Sequence, residues 1–216
     1  DRLHVPLGPV LPDWPHGLVL DAVLQGDVVQ EARLRVLAPA HPIDASFWGP
    51  PGRREPRREV ARRLDGLARF LGVAGWPAAA STARGLLDDA LAGAPGSGIH
   101  KRVEALAARV RRSRTLRRML RGLRAGDVEI SELVSGNLEA LHASAAALAR
   151  NGSAPVPPDG RLPDGSPDQV LQQLAGRLVG AELAAARLIV AAVDPDLDLA
   201  AVGSQEPARP DGHPHD

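Results

Sequence analysis

The chain has 216 residues, with 26 Lys and Arg against 26 Asp and Glu, so its overall charge selects neither nucleic acid nor a membrane surface as partner. It has no Cys, which excludes disulfides, thiolate metal sites, iron–sulfur ligation by this chain and a Cys nucleophile. It has no Tyr either, and its only aromatic rings are Trp14, Phe47, Trp48, Phe70 and Trp76, so the core must be built from Leu, Val and Ala.

The N-terminal stretch alternates. Residues 2–7 (RLHVPL) suit a short strand, and Leu18, Leu20, Ala22 and Leu24 fall on one face of a second. Gln25-Gly26-Asp27 supplies a tight turn, because Gly tolerates the positive φ that such hairpins need. The return strand over 28–37 puts Val28, Ala32, Leu34 and Val36 on one face and Glu31, Arg33 and Arg35 on the other, giving a sheet with one wet side. Residues 38–56 are rich in Pro and Gly and predict a loop, with Ile43, Phe47 and Trp48 pinning it to the core.

From residue 57 the period becomes helical. Val60, Leu64, Leu67 and Leu71 predict a first helix, and residues 72–76 break it. Pro77 opens a second helix containing Leu86, Leu87, Ala90 and Leu91. After a flexible break at 93–98, Val103, Leu106, Val110, Leu116, Leu120 and Leu123 predict one long amphipathic helix. Asp127 is expected to cap the next, which ends near Arg150 at Asn151-Gly152. A Pro/Gly-rich linker over 153–167 follows. Ser166-Pro167-Asp168-Gln169 then starts a last helix running to Val193 and stopping at Asp194-Pro195. The fold class expected is α+β: a small N-terminal antiparallel sheet packed on a bundle of about five helices. The expected organisation is a hairpin region and loop over 1–56, a helical bundle over 57–202 and a disordered tail over 203–216.

The chain opens on Asp1 rather than Met, which reads as a piece of a longer polypeptide or a processed product. No signal peptide is read at the start. The most apolar run, 183–193, has Arg187 in its middle and falls short of the roughly 20 residues a bilayer span needs. The expected location is cytoplasmic or peripheral on the inner face of the membrane.

Gly8-Pro9-Val10-Leu11-Pro12, then Gly17, the strand LVLDAVLQ, the Gly26-Asp27 turn and the return VVQEARLRV follow one another in a specific order. This pattern resembles the opening of the quinone-pocket large subunit of respiratory complex I and of its relatives, the large subunits of nickel–iron hydrogenases. The spacer before Gly17 is one residue longer than in the complex I pattern. Arg114 and Gly122 repeat a second spacing of that family, an Arg in a long helix and a Gly eight residues on. The departures carry as much as the matches. The hydrogenase metal ligands are paired Cys-x-x-Cys motifs, and this chain has no Cys. His16 stands where complex I places a quinone-facing His. The first His of that motif is Leu11 here, and the facing Tyr is absent. The resemblance therefore implies a degenerate or truncated member with at most half of a quinone clamp.

Candidate residues are few. His16 is either a remnant quinone contact or an exposed turn residue between Pro15 and Gly17. Arg109, Arg112, Arg117 and Arg121 form a basic stripe opposite the apolar one. The stripe reads either as a docking face for an acidic subunit, anionic lipid or nucleic acid, or as a solvated helix face in an Arg-biased chain. No aromatic residue interleaves with these arginines, which disfavours nucleic acid. His4, His41, His100 and His142 show no metal spacing, and His213 and His215 suit a solvated tail. Asp194, Asp196 and Asp198 lack the Gly and terminal Glu of a calcium loop. No phosphate-binding glycine loop or G-x-S-x-G nucleophile motif occurs.

The function expected is a non-catalytic, structural subunit of a complex-I-like or hydrogenase-like oxidoreductase assembly. It would hold no cofactor or metal and would dock against an iron–sulfur small subunit, with membrane subunits as further partners. The alternatives are an active quinone-binding subunit, or a helical module that binds acidic lipid or nucleic acid.

Overall fold

The computed structural model describes residues 2–37, 48, 55–150 and 167–194. It has the expected α+β form, a three-stranded antiparallel sheet packed on helices. Strands β1 (Leu3–Leu7), β2 (Leu18–Gln25) and β3 (Val28–Val36) pair in the order β1-β2-β3. Leu20 stands between Leu7 and Leu34, and Ala22 between Val5 and Ala32, so one face of the sheet is wholly apolar. The other face carries Asp21, Glu31, Arg33 and Arg35, and Arg35 Nε donates to Asp21 Oδ2 at 2.7 Å.

The turn is the two-residue Gly26-Asp27 loop, with Gly26 at φ +65°. One expectation about its return strand is corrected. Val23 pairs with Glu31 but Leu24 pairs with Val29, so Gln30 is an extra residue in a β-bulge. The bulge shifts the alternation by one before Ala32. Val29 is therefore fully buried, while Val28 is only partly so. The start of β3 is not a bare edge. Val29 N–H donates to Ala181 O at 2.9 Å, Gly180 N–H to Val29 O at 2.8 Å and Leu183 N–H to Asp27 O at 2.7 Å. The backbone of residues 180–183 thus covers it.

Helix α1 (Pro56–Val73) starts with Pro at its first turn and Glu55 accepting from Arg58 N–H at 3.2 Å. It packs against α2 (Pro77–Leu91), whose Ala79, Ala80 and Ala83 are fully buried and allow close approach. Helix α3 (Gly96–Arg112) lies along α5 (Ile130–Ala149). At its start a Cβ on Gly96 would come within 2.6 Å of Leu148 O, so only Gly fits there. That glycine belongs to the helix and not to the flexible break expected over 93–98.

The described residues hold seven helices rather than about five, because two expected helices are each divided. The long helix over 103–123 stops at Arg112. Ser113 turns extended (ψ 109°), and its hydroxyl accepts from Leu116 N–H at 3.2 Å, capping α4 (Arg114–Met119). The last helix divides into α6 (Pro167–Leu178) and α7 (Leu183–Val193) at Gly180, which sits at φ +83°. Asp127 does not cap α5. It occupies the turn of a small hairpin, β4 (Arg124–Ala125) with β5 (Val128–Glu129), and Glu129 holds the cap position.

Sheet and helices share one hydrophobic core. Trp14, Leu18 and Leu20 belong to the same buried cluster as Leu64, Leu86, Leu141 and Ile189. Each fully buried Leu contributes about 1.5–3 kcal/mol relative to exposure. Trp48 packs partly against this cluster, while Ile43 and Phe47 lie outside the described residues, as do Ser166, most of the loop and linker, and the tail. Among the described residues no helix is long and apolar enough to cross a membrane.

Candidate functional site

The N-terminal motif builds a loop that is locked to the helices. Trp14 is buried, and its Nε1–H donates to Leu18 O at 2.9 Å. Gly8 (φ +97°) lies against that bond, and a Cβ there would stand 2.2 Å from Leu18 O and 2.8 Å from Trp14 Nε1. No side chain fits this position. Asp13, also at positive φ, forms an ion pair with Arg84 of α2. A Cβ on Gly72 of α1 would meet the Asp13 carboxylate at 2.2 Å, so the loop and α1 fit only with Gly at that position. Gly17 (φ +76°) closes the turn, and its carbonyl accepts from Leu37 N–H at 2.8 Å.

His16 sits on the outside of this loop and is exposed. Among the described residues no hydrogen bond or ion pair reaches it. The recesses between β3 and α6, over the wet face of the sheet, and beneath α1, α5 and α7 are lined without it. Leu11 is partly buried against the core. Arg114, the other family position, is the first residue of the short α4 rather than part of a long helix. Gly122 sits at φ +77° in the turn after it.

Arg109, Arg112, Arg117 and Arg121 are all exposed, but the break at Ser113 divides their stripe between the end of α3, α4 and the turn beyond it. The surface is richer than that stripe. Arg111, Arg114 and Arg118 are exposed in the same stretch. Among the described residues none of these arginines has a carboxylate partner. Arg109 has a ring instead, its guanidinium 5.2 Å from the Trp76 centroid. At either end of the stretch the cations are neutralised, Arg102 by Asp89 and Arg124 by Glu129.

Sequence reasoning missed a second charged assembly, which is buried. Glu59, Arg62 and Arg63 of α1 are nearly inaccessible. Arg63 Nε lies 2.7 Å and Arg62 3.3 Å from Glu59 Oε1. Arg69 reaches Asp194 at 2.6 Å and also pairs with Asp65. Arg62 lies 3.7 Å from the same Asp194. Burial opposes the Arg69 charge, but Asp194 and Asp65 outweigh it and hold its pKa above the ordinary arginine value. Asp194 sits at φ +46° where α7 ends, and a Cβ on Gly66 would meet its Oδ2 at 2.3 Å. A water-sized cavity of about 30 Å³ lies alongside, lined by Arg62, Arg63, Asn137 and Asp194. The available signal was a glycine inside a helix whose apolar positions are interleaved with Glu59, Arg62, Arg63, Asp65 and Arg69. Asp194 is thus an ion-pair partner and helix end. Asp196 and Asp198 lie outside the described residues.

Two histidines that sequence spacing left scattered are brought together. His100 of α3 and His142 of α5 are partly buried, with Nε2 atoms 3.3 Å apart. Among the described residues no group of three or more His, Cys, Asp or Glu is placed to hold a metal ion. Comparison with protein-family models, with curated proteins and with solved structures gives no match to this chain.

Proposed function

We propose that this chain is a non-catalytic, structural subunit of a complex-I-like or hydrogenase-like oxidoreductase assembly, docked against an iron–sulfur subunit and associated with membrane subunits. The observation that carries the reading is the construction of the N-terminal loop. Gly8, Gly17 and Gly26 each occupy a positive φ, and Gly8 also lies where no side chain fits. The family-like order of these glycines is therefore tied to a specific backbone and not to composition alone. Trp14 and Asp13 then fix that backbone to the sheet and to α1 and α2.

The docking surface in this reading is the arginine face over 109–121, which has no internal countercharge among the described residues. An acidic subunit surface complements it, and electrostatic complementarity of this kind sets orientation and encounter rate. The quinone-binding alternative requires a second polar group facing His16, and no described residue bonds to it.

The test is purification of the full-length native protein from its own cells in mild detergent, with co-purifying proteins identified by mass. Co-recovery of a small iron–sulfur subunit and membrane subunits is expected. Recovery of the protein alone, or with nucleic acid that leaves at moderate salt, overturns the reading.

A further inference from the structure

We propose that His100 and His142 form a two-imidazole site for a divalent transition-metal ion that cross-braces α3 and α5. The residues are 42 positions apart, yet their Nε2 atoms stand 3.3 Å from each other and their ring centroids 5.0 Å apart, with the planes tilted by 53°. Two zinc–nitrogen bonds of about 2.0–2.1 Å at a tetrahedral angle separate the nitrogens by about 3.3–3.4 Å and the ring centroids by about 5.2 Å. A head-on hydrogen bond between two imidazoles at the same nitrogen separation would hold the centroids farther apart, at about 5.6 Å, because each ring then extends directly away from the other. The rings of this pair are inclined to the line that joins their nitrogens rather than extended along it, and two ligands of one ion are inclined in the same way.

The chemistry of the pair selects the ion. Neutral imidazole suits zinc, copper and nickel, whereas magnesium and calcium take oxygen donors. The site is open, since no third His, Cys, Asp or Glu is in ligand range among the described residues. Glu104 and Glu139, one helical turn from His100 and His142, are exposed and outside that range. The remaining coordination positions fall to water or to an incoming donor. The two helices are already closely seated, with Gly96 against Leu148 O, so little rearrangement is needed to bring the imidazoles to an ion. This site is independent of the docking reading, because it needs no partner protein.

The experiment uses the full chain carrying His213→Ala and His215→Ala, which removes the imidazoles of the tail. Zinc chloride alone is titrated while the thermal midpoint is followed, and one equivalent of copper(II) is examined by electron paramagnetic resonance. The midpoint is expected to rise with zinc, because the ion binds the paired imidazoles of the folded state. The copper spectrum is expected to show coupling to two nitrogens. Loss of a direct ligand costs at least as much as loss of an outer-shell partner, so His100→Ala and His142→Gln should each weaken zinc binding about tenfold or more. A midpoint that zinc does not raise in the parent chain, or a shift of equal size in His142→Gln, overturns the proposal. So does a copper spectrum that is unchanged by both substitutions, and that spectrum is readable even where a variant is less stable.

Discussion

Arginine serves opposite ends in two parts of this molecule. In α1, Arg62, Arg63 and Arg69 are drawn inward and held by Glu59, Asp65 and Asp194. From the end of α3 through α4, the arginines over 109–121 face outward without a carboxylate partner among the described residues. The residue type is the same, and although α1 also carries Glu59 and Asp65 while residues 109–121 carry no acid, composition alone does not say which arginines are buried. The neighbours do. A buried cation must find an anion because its desolvation is not otherwise offset, and α1 lies between α2, α5 and α7. Helix α3 packs chiefly on α5, so its outer side stays in water, where a cation needs no partner to be tolerated. The first group is committed to the fold, and the second is free to be read by another surface.

The contrast makes the stability of α1 the largest expected effect. Asp194→Ala removes the carboxylate shared by Arg62 and Arg69. A loss of about 3 kcal/mol in chemical unfolding is expected, at the low end for a broken buried pair because Arg62 keeps Glu59 and Arg69 keeps Asp65. Gly66→Ala should act on the same network more weakly. Its Cβ displaces Asp194, while the better helix propensity of Ala returns about 1 kcal/mol, leaving a net loss of about 1–2 kcal/mol. If Gly66→Ala proved stabilising, Asp194 would not be seated against α1 as described. The paired change Arg117→Gln with Arg118→Gln should leave the unfolding free energy within about 0.5 kcal/mol of the parent, because both side chains are solvated. A large loss there would mean that the outer arginines also belong to the fold. The smallest effect is expected on the wet face of the sheet. Arg35 is exposed, and although its hydrogen bond to Asp21 raises its pKa, Arg35→Gln should give no resolvable change in unfolding.

How much of this was legible depends on the range over which each feature is determined. The sheet could be read because alternation and Gly26 are local signals, and only the bulge at Gln30 escaped, since VVQEA alternates plausibly in either register. The divided helices were hidden for a physical reason. On either side of Ser113 the apolar residues keep a helical spacing, Val103, Leu106 and Val110 before it and Leu116, Leu120 and Leu123 after it. The phase slip of six residues from Val110 to Leu116, like that of five from Leu178 to Leu183 across Gly180, is therefore easily lost in the surrounding pattern. A Ser flanked by arginines and a Gly near the middle of a long helix were the signs to weigh. The exposed arginines were visible as charge, but their lack of partners was not, because that depends on which acids the fold brings near. Arg69 and Asp194 are 125 residues apart and His100 and His142 are 42, and no periodicity carries information over such separations.

The measurement closest to the central claim is a salt series on the detergent-extracted native assembly. It would compare the parent chain with one carrying Arg112→Gln, Arg117→Gln, Arg118→Gln and Arg121→Gln. The account predicts that the variant folds with an unchanged unfolding midpoint yet releases the iron–sulfur partner at distinctly lower salt than the parent. Retention of the same partner to the same salt concentration would contradict it, and the outer arginines would then be only a solvated face.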